Sequence, residues 1–371
     1  MRILPVIGLL FPIFLHAQQD SRDVLNPNRL RIKEMVLTGE DTASRELKLP
    51  FSKIRIIDSR PDTSKIGYAF DNDIFTGKKR SFQRVQFRNG NGHAIERYYA
   101  AYFSNAFTQN DFELLIVMKR FWLSANVISN EKRVEASNSV GADEKLYCKW
   151  EYYLGKNGKY LPAKRVDTVL IIAGDPDRYN YYKTERERYQ ELKSALNKLV
   201  EMLDYSNAVN QFDNQPGKTL EQIYTFNNRL NMIPVLQDTA IRRGVYLNFE
   251  EFKNNRPSIL DFTEKKTRYR LTNTENYLEN AKGETISNYW GYSDGRVIRY
   301  GMLGNEKMFR VQNTFCFFIK VSGYVVNRNT KATDLTTNNA IGRRNSVEPV
   351  SKSKFEIWVP YQIDMETGTI Y

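Results

Sequence analysis

Histidine is almost absent from this chain, which has two, His16 and His93, in 371 residues. That scarcity narrows the chemistry at once. A Ser-His-Asp or Cys-His catalytic pair needs an imidazole, and a zinc site built from His and Cys needs several ligands. Cysteine is equally scarce, with Cys148 and Cys316 alone. Two thiols in so long a chain make no disulfide framework. Both sit in apolar or aromatic stretches and read as buried free thiols, with a single long-range bridge as the alternative. No glycine-rich phosphate loop is present, and Gly90-x-Gly92 is too short for a dinucleotide fingerprint. Asp71-Asn72-Asp73 offers oxygen ligands without the rest of a calcium loop. These patterns call for no cofactor and no metal.

Aromatic residues, by contrast, are plentiful. There are 23 Tyr and 21 Phe, and hydrophobic residues make up 41% of the chain. Such a composition builds a core and argues against wholesale disorder. The length suits two domains or one large one.

The first residues point to export. Arg2 supplies a short positive region. Ile3 to Leu15 is apolar, interrupted by Pro5 and Pro12, and His16-Ala17-Gln18 leads into polar Gln19-Asp20-Ser21-Arg22. This is the pattern of a cleaved secretory signal, cut near Ala17 or Gln18. After cleavage His93 is the remaining histidine, at the start of a helix where capping or packing is its commoner role. No later stretch reaches the length of a membrane span. The Ala-Gln ending resembles those of Gram-negative envelope proteins, which places the mature chain in the periplasm, at the outer membrane or outside the cell.

Cleavage removes Arg2 and no acid, lowering the formal charge from +12 to +11. In the cytosol that balance would suggest nucleic acid, and export argues against it. The partners left are envelope proteins or anionic envelope components such as lipopolysaccharide, phospholipid head groups and acidic glycans. A solvated basic surface is the plain alternative.

Coarse organisation follows from periodicity. Residues 1–18 are the signal, 19–44 a leader, 45–175 an N-terminal α+β domain, 176–232 a helical connector and 233–371 a β-rich domain. The whole reads as an α+β protein whose N-terminal part is an α/β sandwich. At its centre, His93 to Phe107 carries Ile95, Tyr98, Tyr102 and Ala106 at helical spacing. Phe112 to Leu123 (FELLIVMKRFWL) then suits a strand buried on both faces near the middle of a sheet. Strands are also expected at 31–37, 51–57 and 66–70, with a hairpin from Lys145 to Leu154 and Tyr160 to Ala173 around Gly155 to Gly158. Lys78-Lys79-Arg80 centres a hairpin or exposed loop. Asp175-Pro176-Asp177 marks a boundary. Thr184 and Glu187 are placed as a capping box before a helix carrying Tyr189, Leu192, Leu196, Leu199 and Leu203. Ser206 to Lys218, with Pro216-Gly217, reads as a linker, and Thr219 to Leu230 as a second helix. Asn248 and Glu251 cap a short helix that Pro257 stops. Hairpins are expected around Ser293-Asp294-Gly295 and Met365 to Gly368, and Arg328 to Ser353 as a polar loop.

Two clusters qualify as binding candidates. Asp58, Arg60 and Asp62 crowd a strand end, where a turn bonding its own backbone, with Arg60 paired to a carboxylate, is the competing explanation. Tyr289, Trp290 and Tyr292, near Asp294, suit an aromatic sugar platform, and with paired carboxylates a glycosidase. Strand alternation competes here, because it sends Tyr289 to the opposite face from Trp290 and splits the cluster between core and surface.

A strand ending in Asp58-x-Arg60, then Ile66-Gly67, the helix from His93, an apolar strand and a hairpin resembles the α/β sandwich of YajG-like envelope lipoproteins over residues 45–175. The chain departs from that family in lacking the lipid-bearing cysteine. The resemblance implies a non-catalytic envelope domain and transfers no catalytic residue. Together these readings favour an exported, non-enzymatic envelope protein that binds or assembles. The alternatives are a carboxylate-based glycan hydrolase and a surface glycan-binding module.

Overall fold

The computed structural model describes residues 26–38, 42–70, 82–128, 141–173, 185–230, 232–269, 273–327 and 351–371. The signal, Asp71-Asn72-Asp73, the Lys78-Lys79-Arg80 segment, the Asp175 to Asp177 boundary, Thr184 of the first capping box and 328–350 of the polar loop lie outside the described residues.

The chain is α+β. Its first part runs β1 (Ile32–Met35), β2 (Ile54–Asp58), β3 (Gly67–Phe70), β4 (Phe82–Phe87), α1 (Asn91–Tyr102), β5 (Glu113–Ile128), β6 (Gly141–Lys156), β7 (Lys159–Ala173), α2 (Glu185–Glu201), α3 (Ser206–Gln211), β8 (Lys218–Thr219) and α4 (Leu220–Leu230). These strands form one mixed sheet in the order β1-β4-β3-β5-β6-β7-β8, with β2 parallel to β5. The central strand behaves as its apolar run implies: Leu114 to Met118 have no exposed surface. Leu114, Ile116 and Met118 face the main core with α1 and α2, while Leu115 and Val117 face Ile223 of α4. Helices thus cover both sides of the strand.

A bulge resets the alternation within β5. Its register against β6 shifts between Met118 and Arg120. After the shift Phe121 and Leu123 return to the main core, and Trp122 turns to a different one. A bulge of this kind bends the strand and re-aims its side chains, here at the charged pair Lys119-Arg120. β6 and β7 turn at Asn157-Gly158, both with positive φ, which suits a two-residue hairpin.

α1 is shorter than its stripe suggests, ending at Tyr102. Ser104 and Asn105 compete for backbone bonds and are poor helix formers, yet Phe103 and Ala106 still reach the core. The tyrosines of that stripe do more than pack. Tyr98 donates to Asn197 Oδ1 at 2.9 Å, Tyr99 to the Leu196 carbonyl at 2.6 Å and Tyr102 to Glu201 at 3.1 Å. From β6, Tyr152 donates to the Leu199 carbonyl at 2.7 Å, and Tyr205 to that of Val200 at 3.3 Å. The last carbonyls of a helix have no partner within it, so buried phenols complete the end of α2. Residues 206–218, expected as a linker, instead form α3 and a short turn, because Tyr205, Ala208 and Phe212 bury in the main core.

The second part runs α5 (Pro234–Gln237), β9 (Gly244–Tyr246), α6 (Phe249–Lys253), β10 (Phe262–Tyr269), β11 (Asn273–Asn280), β12 (Thr285–Ile286), β13 (Gly291–Ser293), β14 (Ile298–Tyr300), β15 (Glu306–Val311), β16 (Thr314–Asn327) and β17 (Ser351–Gln362). A six-stranded sheet, β17-β16-β15-β14-β13-β9, packs α5 and α6 on one face and the small sheet β10-β11-β12 on the other. The Asn248 cap is present, with its side chain accepting from the Glu251 N–H at 2.9 Å.

The two parts meet along a seam. Tyr68, Phe82 and Trp122 pack against Val359 and Tyr371. The Tyr68 hydroxyl lies 3.6 Å from Cys316 Sγ. Cys148 and Cys316 are both free and buried.

Candidate functional site

The Asp58, Arg60 and Asp62 cluster is built into the sheet. β2 runs beside β5 as far as Met118, and β3 meets β5 again at Leu123. Between them the Arg60 guanidinium takes the place of a strand. It grips Asp58 through two bonds, 2.7 and 2.6 Å, and donates to the Phe121 and Lys65 carbonyls at 3.1 and 2.7 Å. Gly67 reopens the pairing, and only glycine fits there, since a Cβ would lie 1.9 Å from the Leu123 carbonyl oxygen. Asp62 is buried with Lys65 as an ion pair and accepts from the Ser64 N–H at 2.9 Å. Of these three residues, Arg60 and Asp62 also line a crevice at the seam.

That crevice, of about 140 Å³, lies where the first sheet, α4, α6 and the C-terminal turn converge. Its wall carries five cations, Arg60, Lys119, Arg120, Lys149 and Lys253, against three acids, Asp62, Asp364 and Glu366. The bulge in β5 supplies Lys119 and Arg120. Lys119 pairs with Glu151 at 2.8 Å. Arg120 pairs with Asp364 and with Asp167, the latter at 3.2 Å, while its guanidinium lies 4.8 Å from the centre of the Tyr371 ring. Tyr371 donates to Asp364 at 2.6 Å. Burial alone would raise the Asp364 pKa, but the Tyr371 hydroxyl and Arg120 outweigh it and hold the carboxyl below its ordinary range. Lys149 reaches Glu366 across the seam. Two lining side chains, Trp122 and Asn227, each bury a polar atom, Nε1 and Oδ1, with no hydrogen-bond partner among the described residues. The Asn227 amide is oriented by its other end, which donates to the Ile223 carbonyl at 2.8 Å.

The aromatic platform does not form. Trp290 buries in the core beside Phe252, with ring centres 4.4 Å apart, while Tyr292 buries on the other face of the sheet against Phe262. Tyr289 stays with Tyr292 at 6.0 Å and donates to Asn305. Trp290 precedes β13 and turns to one core while Tyr289 and Tyr292 join another, so the three rings offer no common surface. Asp294 is spent on its own hairpin, accepting from the Arg296 and Val297 N–H groups at 2.7 Å. His93 is exposed in the first turn of α1.

Among the described residues, no group of His, Cys, Asp or Glu is placed to hold a metal ion, and no helix is long and apolar enough to cross a membrane. The crevice went unread in the sequence. In the sequence Lys119-Arg120 only interrupt an apolar run, and Asp364, which meets Arg120, lies 244 residues on.

No family model and no curated protein matches the chain. Among solved structures, the crystal structure of protein XCC0632 from Xanthomonas campestris, of family DUF330, is similar over 50% of this chain and 99% of its own. The identity is 11% and the TM-score 0.27. A likeness at that score carries no argument about the site.

Proposed function

We propose that this is an exported, non-enzymatic protein of the cell envelope that binds an anionic envelope component in the crevice at its seam. The leader supports export, and the likeness of residues 45–175 to YajG-like envelope lipoproteins supports an envelope role. The observation that carries the binding part is the crevice wall, which five cations line, several with little access to water, and where the partner of the buried Lys149 is an exposed carboxylate, Glu366. Low local dielectric strengthens such charges toward an anion small enough to enter.

The same wall speaks against the hydrolase. A glycosidase needs one carboxyl held protonated as an acid. In the crevice Asp62 pairs with Lys65, Asp364 with Arg120 and Glu366 with Lys149. Each is matched to a cation, and Asp364 is held below the ordinary carboxylate range.

Two measurements test the reading. Mass spectrometry of the protein recovered from its producing cell is expected to find an N-terminus between Gln18 and Asp20, and a chain beginning at Met1 in the cytoplasm refutes export. Fluorescence of Trp122, which lines the crevice, is expected to change when anionic phospholipid vesicles, lipopolysaccharide or acidic glycan are added. Lys149→Met should remove that response. A response indifferent to Lys149 moves binding elsewhere and refutes the crevice.

A further inference from the structure

Lys149 and its partner differ sharply in their access to water. The lysine rises from β6 and is 4% exposed. Glu366 projects from the turn after β17, and its side chain is 56% exposed. The lysine is held by the fold, whereas the carboxylate can return to solvent by rotating about its own side-chain bonds. The turn that carries it stays put. Gly368 N–H donates to the Asp364 carbonyl, and Asp364 N–H to that of Thr369, each at 2.8 Å. Glu366 N–H donates to Asp364 Oδ1 at 2.7 Å. Withdrawing Glu366 therefore needs a change of rotamer and no opening of a loop.

A second cation converges on the same place. Lys253, at the end of α6, lies 3.3 Å from the Glu366 main-chain carbonyl. It also lies 6.0 Å from the centre of the Phe249 ring and 3.7 Å from Glu250, whose side chain is 68% exposed, a pairing that water weakens. With the Glu366 side chain swung out, two ammonium groups from different elements are left facing one small cavity. Ammonium groups are compact, strongly hydrated point charges with rotatable donors. Two of them suit a compact dianion with oxygens on every side. A cavity of about 140 Å³ admits such a group while excluding the body of a lipid or a glycan.

Resting on the crevice reading above, we infer that Glu366 is an internal stand-in for a phosphomonoester group, which enters by displacing the Glu366 carboxylate from Lys149 and then meets Lys253 as well. The Glu366 side chain is then a built-in competitor. It keeps Lys149 paired while the site is empty and lowers the affinity for the incoming phosphate.

The test uses the full mature chain and three substitutions, Glu366→Ala, Glu366→Gln and Lys149→Met. Inorganic phosphate is titrated calorimetrically in a chloride-matched buffer, and melting is followed with and without it. Vesicles carrying phosphatidic acid serve as the second probe, to separate a lipid head group from a free phosphate. The inference expects Glu366→Ala to bind at least tenfold more tightly than the parent, with phosphate restoring the melting temperature that the unpaired lysine lowers. Glu366→Gln should fall between the two and serves if the alanine variant does not fold. Binding to vesicles without binding to free phosphate, lost in Lys149→Met, supports the inference and assigns the lipid as the source. Binding that is lost in Lys149→Met but is equal or weaker in both Glu366 variants overturns the stand-in and leaves the crevice reading in place. Binding that survives Lys149→Met overturns both, and no binding of either probe overturns the phosphate stand-in while the Trp122 response to acidic glycan decides the crevice.

Discussion

Arg60→Met tests the claim that one side chain replaces a strand. Arg60 is 6% exposed and its guanidinium makes four hydrogen bonds, two to Asp58 and one each to the Phe121 and Lys65 carbonyls. Methionine fills much of the volume and supplies no donor. Each buried acceptor left without a partner costs about 1–3 kcal/mol, and breaking a buried ion pair from one side costs about 3–5 kcal/mol. Arg60 also borders the crevice, so water can reach part of the gap and the sum is not realised in full. We expect a loss of about 3–5 kcal/mol, against a total stability for an ordinary domain of about 5–15 kcal/mol. Arg60→Lys keeps the charge but loses the planar fork, and lysine cannot hold Asp58 and two carbonyls at once. It should lose about 2–3 kcal/mol. Removing the stranded charge as well, in Asp58→Asn with Arg60→Met, should recover at least about 1 kcal/mol relative to the sum of the single changes. Urea denaturation of the full chain, followed by tryptophan fluorescence, measures the parent and the four variants, Asp58→Asn alone included. A loss under about 1 kcal/mol for Arg60→Met, or a lysine variant equal to the parent, would refute the strand-replacement reasoning.

Denaturing thiol titration without reductant should find two free groups, and none would mean that Cys148 and Cys316 bridge the seam. In the native chain both should react slowly, because burial pushes each thiol's pKa up and suppresses the thiolate. Tyr152→Phe strands the Leu199 carbonyl at the end of α2 and should cost about 1–3 kcal/mol in the same urea assay, and no measurable change would remove the phenols from the account of that helix end. Asp364 is held below the ordinary carboxylate range, so its contribution to stability is complete above about pH 4 and is lost as the pH falls through its folded value. Asp364→Asn should therefore flatten the acid limb of a stability profile, and superimposable limbs for variant and parent would show that the pair is not linked to folding.

What could be read in the sequence was whatever depends on near neighbours. The apolar run before Lys119, the 3.6-residue period of α2, the Asn248 cap and the Asn157-Gly158 and Asp294-Gly295 turns each report a local preference, and each appears where it was expected. The β10 and β11 hairpin went unnamed because FTEKKTRY and NTENYLEN carry almost no apolar alternation. Among those of their residues whose burial is described, Phe262 and Leu278 reach a core. The tyrosine stripe of α1 was legible as rings and illegible as hydroxyls, because what a phenol bonds depends on a helix about a hundred residues away.

The candidate site is an extreme case of the same limit. Asp58 and Arg60 caught attention because they are close in sequence, and closeness is what makes them structural: they grip each other and close a gap beside β5. The crevice charges are scattered over β5, β6, α6 and the final turn, and each alone resembles an ordinary surface residue. Arg120 meets Asp364 across 244 residues and Lys149 meets Glu366 across 217. No periodicity encodes such pairings. They follow from the bulge that turns Lys119-Arg120 out of the apolar ladder and from the seam that brings a second sheet against the first. Trp122 joins the two, since its neighbours in the strand face the main core while its own ring fills the seam. The residue that the apolar run presented as one more core position thus packs with Tyr68, Phe82, Val359 and Tyr371 where the two halves, and with them the cations, meet.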